Sequence, residues 1–413
     1  MSKFIVPVLV ISMLIFVFGC SKKSSTTVVA PVAKNVQIQI TNTSNQFVAL
    51  NSGTYGGTAP VQPGNSMSFS FLAPMGTRLS FANMFGKSSD WFYATPDTGI
   101  SLWSSSGAVL SGDITSLVTL WDAGTRLNQP IDSVKANIAD TNNLVRPLMI
   151  PSYATDSVMT ISIMPKTVDA ITDSFTVTIN VLSTSVTPVS PGIWAVHASG
   201  KPLFEVGVPD KGRGLKTLAQ TGNPGDLSSW ITPLLGVTTP LSPILFALSN
   251  MDTVIFDSGM VAGKGLKNLA EDGNPGPLHD SLMARGFSPM VIGTSVLLPG
   301  SSSSFSFSLA QGQKLYMAFM FGQSNDVFFG TSSHGLNLWP SGGNLLTGDI
   351  TDSISLWDAG TEVHEYPGFG PNQAPRQSAP GMGTQENLPV SALNDGFVYG
   401  QVNKLISVMS IEE

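Results

Sequence analysis

The chain has 413 residues, enough for two or three domains of about 100–200 residues each. Only 11% of its residues are charged, against about 25% in a typical soluble domain, while 42% are apolar, ample material for a packed core. A net charge of −7, with no basic run beyond Lys22-Lys23, excludes a nucleic-acid binder, and one Cys with four His excludes a disulfide framework or a thiolate zinc site.

Taken in chain order, residues 1–19 read as a signal peptide: one Lys, then an apolar run from Phe4 to Phe18 that is too short to span a bilayer comfortably. The ending Val17-Phe18-Gly19-Cys20 resembles the lipobox of bacterial lipoproteins, which implies cleavage before Cys20 and acylation of that residue. A plain secretory leader with a chance Cys is the alternative. Residues 20–33 then form a small, polar tether that lifts the folded part off a lipid bilayer. The location expected is the cell envelope, at the outer membrane or cell surface.

The remainder is organised by a repeat. Residues 63–126 align without a gap onto 299–362, a constant offset of 236 (326 − 90), with roughly half the positions identical. Gly112-Asp113-Ile114-Thr115 recurs as Gly348-Asp349-Ile350-Thr351, and Trp121-Asp122-Ala123-Gly124-Thr125 as Trp357-Asp358-Ala359-Gly360-Thr361. Segments of period two flank the copies: Val36, Ile38 and Ile40; Met159, Ile161 and Ile163; Phe175, Val177 and Ile179; and the stretch around Ile406-Ser407-Val408. Such alternation predicts half-buried strands, and short strands punctuated by Gly, Pro, Asn and Ser predict an all-β protein of two tandem antiparallel β-sandwiches. The boundaries expected are a shortened domain at 34–165, a linker at 166–174 and a complete domain at 175–413. A shorter motif appears twice in the second part, as LKTLAQTGNPG after Pro191 and LKNLAEDGNPG after Pro243, and Leu266–Glu271 is the best short-helix candidate. The run PGFGPNQAPRQ (367–377) follows the second WDAGT.

The segments Ser88–Phe92 (SSDWF) and Ser324–Phe329 (SNDVFF), both WDAGT motifs, the LAEDG segment and the GPNQAPRQ run together resemble the spondin N-terminal domain family in its bacterial branch. The resemblance covers nearly all of 175–413 but only 63–125 of the first copy. It implies sandwiches related to calcium- and lipid-binding ones, with calcium held at one end by loop carboxylates, and a place among matrix and adhesion proteins.

On spacing alone, Asp326, Asp358 and Glu362 fit turn residues that bond their own amides. The resemblance implies instead that they are metal ligands, one calcium per chain in the second domain. Three carboxylates so close would repel one another without a cation. In the first copy Asp90 and Asp122 remain, but Arg126 stands where Glu362 does, so a degenerate site closed by an Arg126–carboxylate bridge is expected. Trp103, Trp339, Trp121 and Trp357 read as core, Trp91 as an exposed contact near a loop tip, and Arg376 as a clamp on the Pro-rich run. No G-x-S-x-G, H-E-x-x-H or phosphate-binding loop occurs, and Ser333-His334 reads as a surface turn. The function expected is that of a non-catalytic, calcium-stabilised adhesion module for an unidentified extracellular protein or glycan. The alternative is a calcium-dependent carbohydrate-binding or hydrolase accessory protein.

Overall fold

A computed structural model describes residues 32–131, 133, 135–250 and 254–413; the leader, Cys20 and most of the tether lie outside the described residues. The strands are β1 (Ala33–Asn42), β2 (Asn51–Tyr55), β3 (Ser66–Pro74), β4 (Arg78–Phe85), β5 (Trp91–Ala94), β6 (Ile100–Ser101), β7 (Gly112–Asp113), β8 (Thr119–Asp122) and β9 (Arg146–Pro147). After the single turn α1 (Thr155–Val158) come β10 (Met159–Thr167), β11 (Thr172–Val181) and β12 (Val189–His197), then α2 (Leu215–Thr221) and α3 (Gly225–Ile231). The second half holds β13 (Ile244–Ser249), α4 (Lys264–Asp272), α5 (Gly276–Ala284), β14 (Ser288–Ile292), β15 (Ser302–Ala310), β16 (Lys314–Met320) and β17 (Val327–Gly330). It ends with β18 (Gly348–Asp349), β19 (Ser355–Asp358), β20 (Ser391–Ala392), α6 (Val402–Leu405) and β21 (Ile406–Glu412).

Four antiparallel sheets form two sandwiches of the same design. The first pairs a sheet ordered β3-β11-β10-β7 with one ordered β2-β12-β4-β5-β8-β9, β6 lying beside β4. The second pairs β15-β1-β21-β18 with β14-β13-β16-β17-β19-β20. Strand for strand the two orders correspond, with β1 in the place of β11 and β13 in the place of β12.

This pairing cuts across the boundaries expected from the sequence. β1, the first strand, sits in the middle of a sheet of the second sandwich, pairing Ile38 with Phe305 of β15 and with Ser410 of β21. Its alternation of buried Val36, Ile38 and Ile40 faces the core there. Conversely, β11 and β12 belong to the first sandwich, where β11 pairs with β3 and β10, and β12 with β2 and β4. The expected linker 166–174 is a hairpin: Lys166 and Thr167 end β10, and Thr172–Ser174 begin β11. The first sandwich is therefore a circularly permuted copy, inserted between the first and second strands of the other.

The twice-occurring LK-x-LA motif follows the same logic. LKTLAQTGNPG forms α2 and runs into α3, which pack Leu215, Leu218, Leu227 and Ile231 against Ala82, Phe92, Ala94 and Trp121 of the first sandwich. LKNLAEDGNPG forms α4 and runs into α5, which place Leu266, Leu269, Leu278 and Leu282 on Leu245, Tyr316, Ala318 and Phe328 of the second. Each sandwich thus has a helix pair, where the sequence predicted one helix in the second alone. Strands such as β4 are buried on both faces because they lie between the inter-sheet core and these helices.

At the passage from β1 into the inserted copy, buried Asn42 donates its amide to the carbonyls of Thr239 (2.8 Å) and Leu297 (2.9 Å). Ser44 Oγ donates to the same Thr239 carbonyl and accepts from the Thr239 amide. The two crossings between sandwiches are therefore tied together.

Because β1 completes the second sandwich, Ile38→Ala should cost about 3 kcal/mol, as for a buried Ile in a central strand. Amide exchange should quicken in β15 and β21 and stay unchanged in β3 and β11; loss of protection in β3 instead would contradict the pairing.

Candidate metal centre

The site lies where β17 begins and β19 ends. Ser324 Oγ donates to the Phe321 carbonyl (2.6 Å) and accepts from the Val327 amide (3.1 Å), folding the loop that carries Asp326. Asp326 is fully buried, and its Oδ2 accepts from the amides of Thr361 (2.6 Å) and Glu362 (3.0 Å) and from Thr361 Oγ1 (3.1 Å). Asp358 Oδ1 accepts from the Gly360 amide at 2.7 Å. Gly360 has φ +66°, and a Cβ there would lie 2.5 Å from the Leu388 carbonyl, so only glycine serves. The first sandwich repeats this lock: Asp90 Oδ2 takes the amides of Thr125 and Arg126, each at 2.7 Å, and Asp122 Oδ1 that of Gly124 at 2.7 Å. The WDAGT motif is first of all a loop lock, as its turn composition allowed.

The two copies differ in what meets the remaining oxygens. In the second sandwich, His364 Nε2 lies 2.8 Å from Asp326 Oδ1 and 3.6 Å from Asp358 Oδ1. His364 Nδ1 lies 2.5 Å from Asp395 Oδ2, which also accepts from Tyr399 Oη at 2.7 Å. Asp326, Asp358 and His364 each offer one ligand atom, all within 4.8 Å of one another. Burial opposes an imidazolium, but the hydrogen bonds to Asp326, Asp358 and Asp395 outweigh it and push His364 up to about 12. Burial likewise opposes the Asp358 charge, and the facing His364 holds that carboxyl below its usual range. Without an ion, a protonated His364 is the cation that faces these carboxylates.

Glu362, expected as the third ligand, turns away. Its Oε1 accepts from the Gly383 amide (3.1 Å) and from Gln385 Nε2 (2.8 Å), and its Oε2 is buried without a hydrogen-bond partner. Burial and the charge of Glu271 push its carboxyl up to about 7.

In the first sandwich the cation is an arginine, but not the expected one. The Arg126 guanidinium makes no ion pair with Asp90 or Asp122 among the described residues; only its backbone amide reaches Asp90, and its Nε is buried without a hydrogen-bond partner. Arg146, on β9 beside Asp122, makes the bridge: Nη2 lies 2.5 Å from Asp122 Oδ2 and 2.6 Å from Asp140 Oδ2. Asn128, at the position of His364 two residues past the aligned block, donates to Asp122 Oδ2 at 2.7 Å. Trp91 is not an exposed contact either: it is 6% exposed, packs on Phe85 and Tyr153, and donates Nε1 to Asn128.

Arg376 does hold the Pro-rich run, donating Nε to the Gly370 carbonyl (2.8 Å), Nη1 to Gln323 Oε1 (2.7 Å) and Nη2 to Gln373. The run braces the metal-site end: Gln323 begins the Asp326 loop and accepts the Gly368 amide at its carbonyl, and Gly368 packs on Val237 between the sandwiches. Sequence reasoning missed His364, Asp395, Tyr399, Asn128, Arg146 and Glu271 as partners. Extending the repeat by two residues would have set His364 against Asn128 and marked it out.

Compared with known proteins, the chain matches no family model, and no curated protein matches it.

Arg146→Ala leaves buried Asp122 without its cation and should cost about 2 kcal/mol, allowing for partial solvent screening, whereas Arg126→Ala should cost under about 1 kcal/mol in the same urea titration. The reverse order would restore the Arg126 bridge. In metal-free protein the raised values of His364 and Glu362 both favour the protonated fold. Their stabilisation should therefore be full below about pH 4.5 for Glu362 and about pH 6.5 for His364. It should fade as pH climbs through about 7 for Glu362 and toward about 12 for His364. Because Glu362 still titrates in His364→Asn, the histidine share is isolated above about pH 8, where the melting temperature of that variant should be flat to pH 9 while that of wild type keeps falling.

Proposed function

We propose that the protein is a non-catalytic recognition module of spondin type, anchored at the cell envelope through Cys20, in which one divalent metal locks the loop end of the second sandwich. The observation that carries the reading is the convergence of Asp326, Asp358 and His364, with the other nitrogen of His364 engaged by Asp395. An Nδ1–H donated to a carboxylate fixes the tautomer and leaves Nε2 as a ligand, the usual support of a metal-bound histidine.

The chemistry of the donors decides which ion fits. Calcium takes six to eight oxygens at about 2.3–2.6 Å. This trio offers one imidazole nitrogen and two carboxylates, one of whose oxygens is already taken by three donors from the Thr361 and Glu362 segment. Calcium does not fit here. A d-block ion of the zinc or manganese kind does, because imidazole suits it and the carboxylates offset its charge. When bound, the ion ties the Asp326 loop to the 358–364 loop and, through His364, to the 395–399 segment. Loop ends held rigid on a sandwich are where such proteins present recognition surfaces.

The large exposed hydrophobics among the described residues are Val, Leu, Ile and Met, with no aromatic platform for a sugar, which favours a protein partner over a glycan. Two Ser–His pairs do not make a hydrolase: Ser80–His197 is sealed in the core, and Ser333–His334 are chain neighbours in a turn.

Metal analysis of the purified chain should find about one d-block ion per molecule, lost in His364→Ala, with chelator lowering the wild-type melting temperature by several degrees. Calcium should not restore that loss. A metal-free wild type whose melting temperature ignores both chelator and zinc or manganese would reject the centre, and a glycan-array signal without protein capture from intact cells would favour the carbohydrate reading.

A further inference from the structure

The two sandwiches meet through a contact whose two halves both recur, unused, elsewhere in the molecule. The turn after α3, Thr232–Leu235, leans on the second sandwich. Thr232 and Leu235 wall a cleft whose other side is Leu356, Leu393, Val398 and Tyr399. Leu235 is buried there, Val398 packs on the cluster that holds Leu235 and Trp230, and the Val237 amide donates to the Tyr399 carbonyl at 3.0 Å.

The first sandwich has the same cleft without the wall. Leu120 and Leu148 stand for Leu356 and Leu393, because the Leu148 amide donates to the Leu120 carbonyl as the Leu393 amide does to that of Leu356. Among the described residues the lining of this cleft, about 550 Å³, comes from the first sandwich alone. Leu120, Leu148, Ile150 and Met149 supply apolar surface, Met149 being 86% exposed, and Asp113 and Asp156 stand at the rim. The second sandwich has the same turn without a cleft to enter. LKNLAEDGNPG follows LKTLAQTGNPG by 51 residues (266 − 215), which sets Met283–Gly286, after α5, against Thr232–Leu235. All four of these residues are exposed, Met283 by 57%.

The charges have changed in step. Within the chain the turn carries Leu234, and the helix beside the cleft, α6, carries Asn403. In the unused halves the corresponding residues are Arg285 and, on α1, Asp156. A neutral pair has become a cation and an anion, each next to an exposed methionine, a side chain that adapts to irregular surfaces. We propose that the Met283–Gly286 turn of one molecule seats in the Leu120–Asp156 cleft of another molecule of the same chain, so that the chains assemble head to tail. The two surfaces differ, so each contact leaves one half free at either end and the assembly grows as an open string. The inference does not rest on the metal reading, since neither half touches the histidine site.

Sedimentation of the purified full chain over rising concentration tests it, using wild type, Met149→Lys, Met283→Gln and an equimolar mixture of the two variants. Both methionines face solvent, so each variant should keep the wild-type melting temperature. The wild-type mass should climb past that of a dimer, and each variant alone should associate at least about tenfold more weakly. The mixture should form a dimer and stop, because only one intact turn and one intact cleft remain to meet. A wild type that stays monomeric at millimolar concentration, or stops at a dimer, would overturn the proposal. So would association unchanged in both variants, or a mixture no larger than its parts. Loss of association in Met149→Lys with none in Met283→Gln would overturn it too, by making the contact cleft to cleft.

Discussion

Two aspartates brought together at the loop end of a sandwich, one of them with no access to water, have to be neutralised, and the rest of the site follows from how each copy does it. The loop locks are alike: Asp90 and Asp326 gather the amides after WDAGT, and that gathering sets the second aspartate beside the first. What remains is unbalanced negative charge in a place of low dielectric, where unit charges interact several-fold more strongly than in water. The first sandwich answers with a covalently attached cation, Arg146, which is always charged and bridges Asp122 to Asp140 through one planar group, while Asp90 Oδ1 stays buried without a hydrogen-bond partner. The second answers with His364, the one side chain that can be either the cation itself or a metal ligand. A fixed charge makes a closed, ion-independent tip, and an exchangeable one makes a tip whose rigidity depends on its surroundings.

The topology joins these two tips into one molecule. Since β1 belongs to the second sandwich and the chain then builds the whole first sandwich before returning at β13, the second sandwich is not a contiguous fragment. β1 itself lies in the middle of a sheet, held by ladders to β15 and β21 on both sides. The connection 236–239, braced by Asn42, Ser44 and Gly368, is the seam at which both crossings meet.

Much of this was legible from the chain, and the remainder was not for definable reasons. Alternation at Val36–Ile40 and Phe175–Ile179 marked strands correctly because period two reports burial on one face. It could not say which sheet a strand joins, since β1 and β11 carry the same pattern and fill equivalent slots in different sandwiches. Both LK-x-LA motifs were assigned to the second copy by nearness in the chain, although LKTLAQ packs on the strands that precede it. At the site, Asp326 and Asp358 stand out in the sequence through the family-like motifs of their two loops. His364 and Arg146 lie past the end of the gapless alignment, where loops of different length bring their charges in from new directions. Arg126 and Glu362 occupied the right positions in the sequence, but their side chains leave the aspartates, and Glu362 turns instead toward Glu271 of α4.

An ion bound through His364 in the second sandwich is what we propose. X-ray absorption at the metal edge on purified chain tests it most directly: the shell expected is one imidazole nitrogen with carboxylate oxygens, and it should collapse in His364→Ala. A wild-type spectrum with no imidazole scattering, or a metal shell unaltered by His364→Ala, would contradict it.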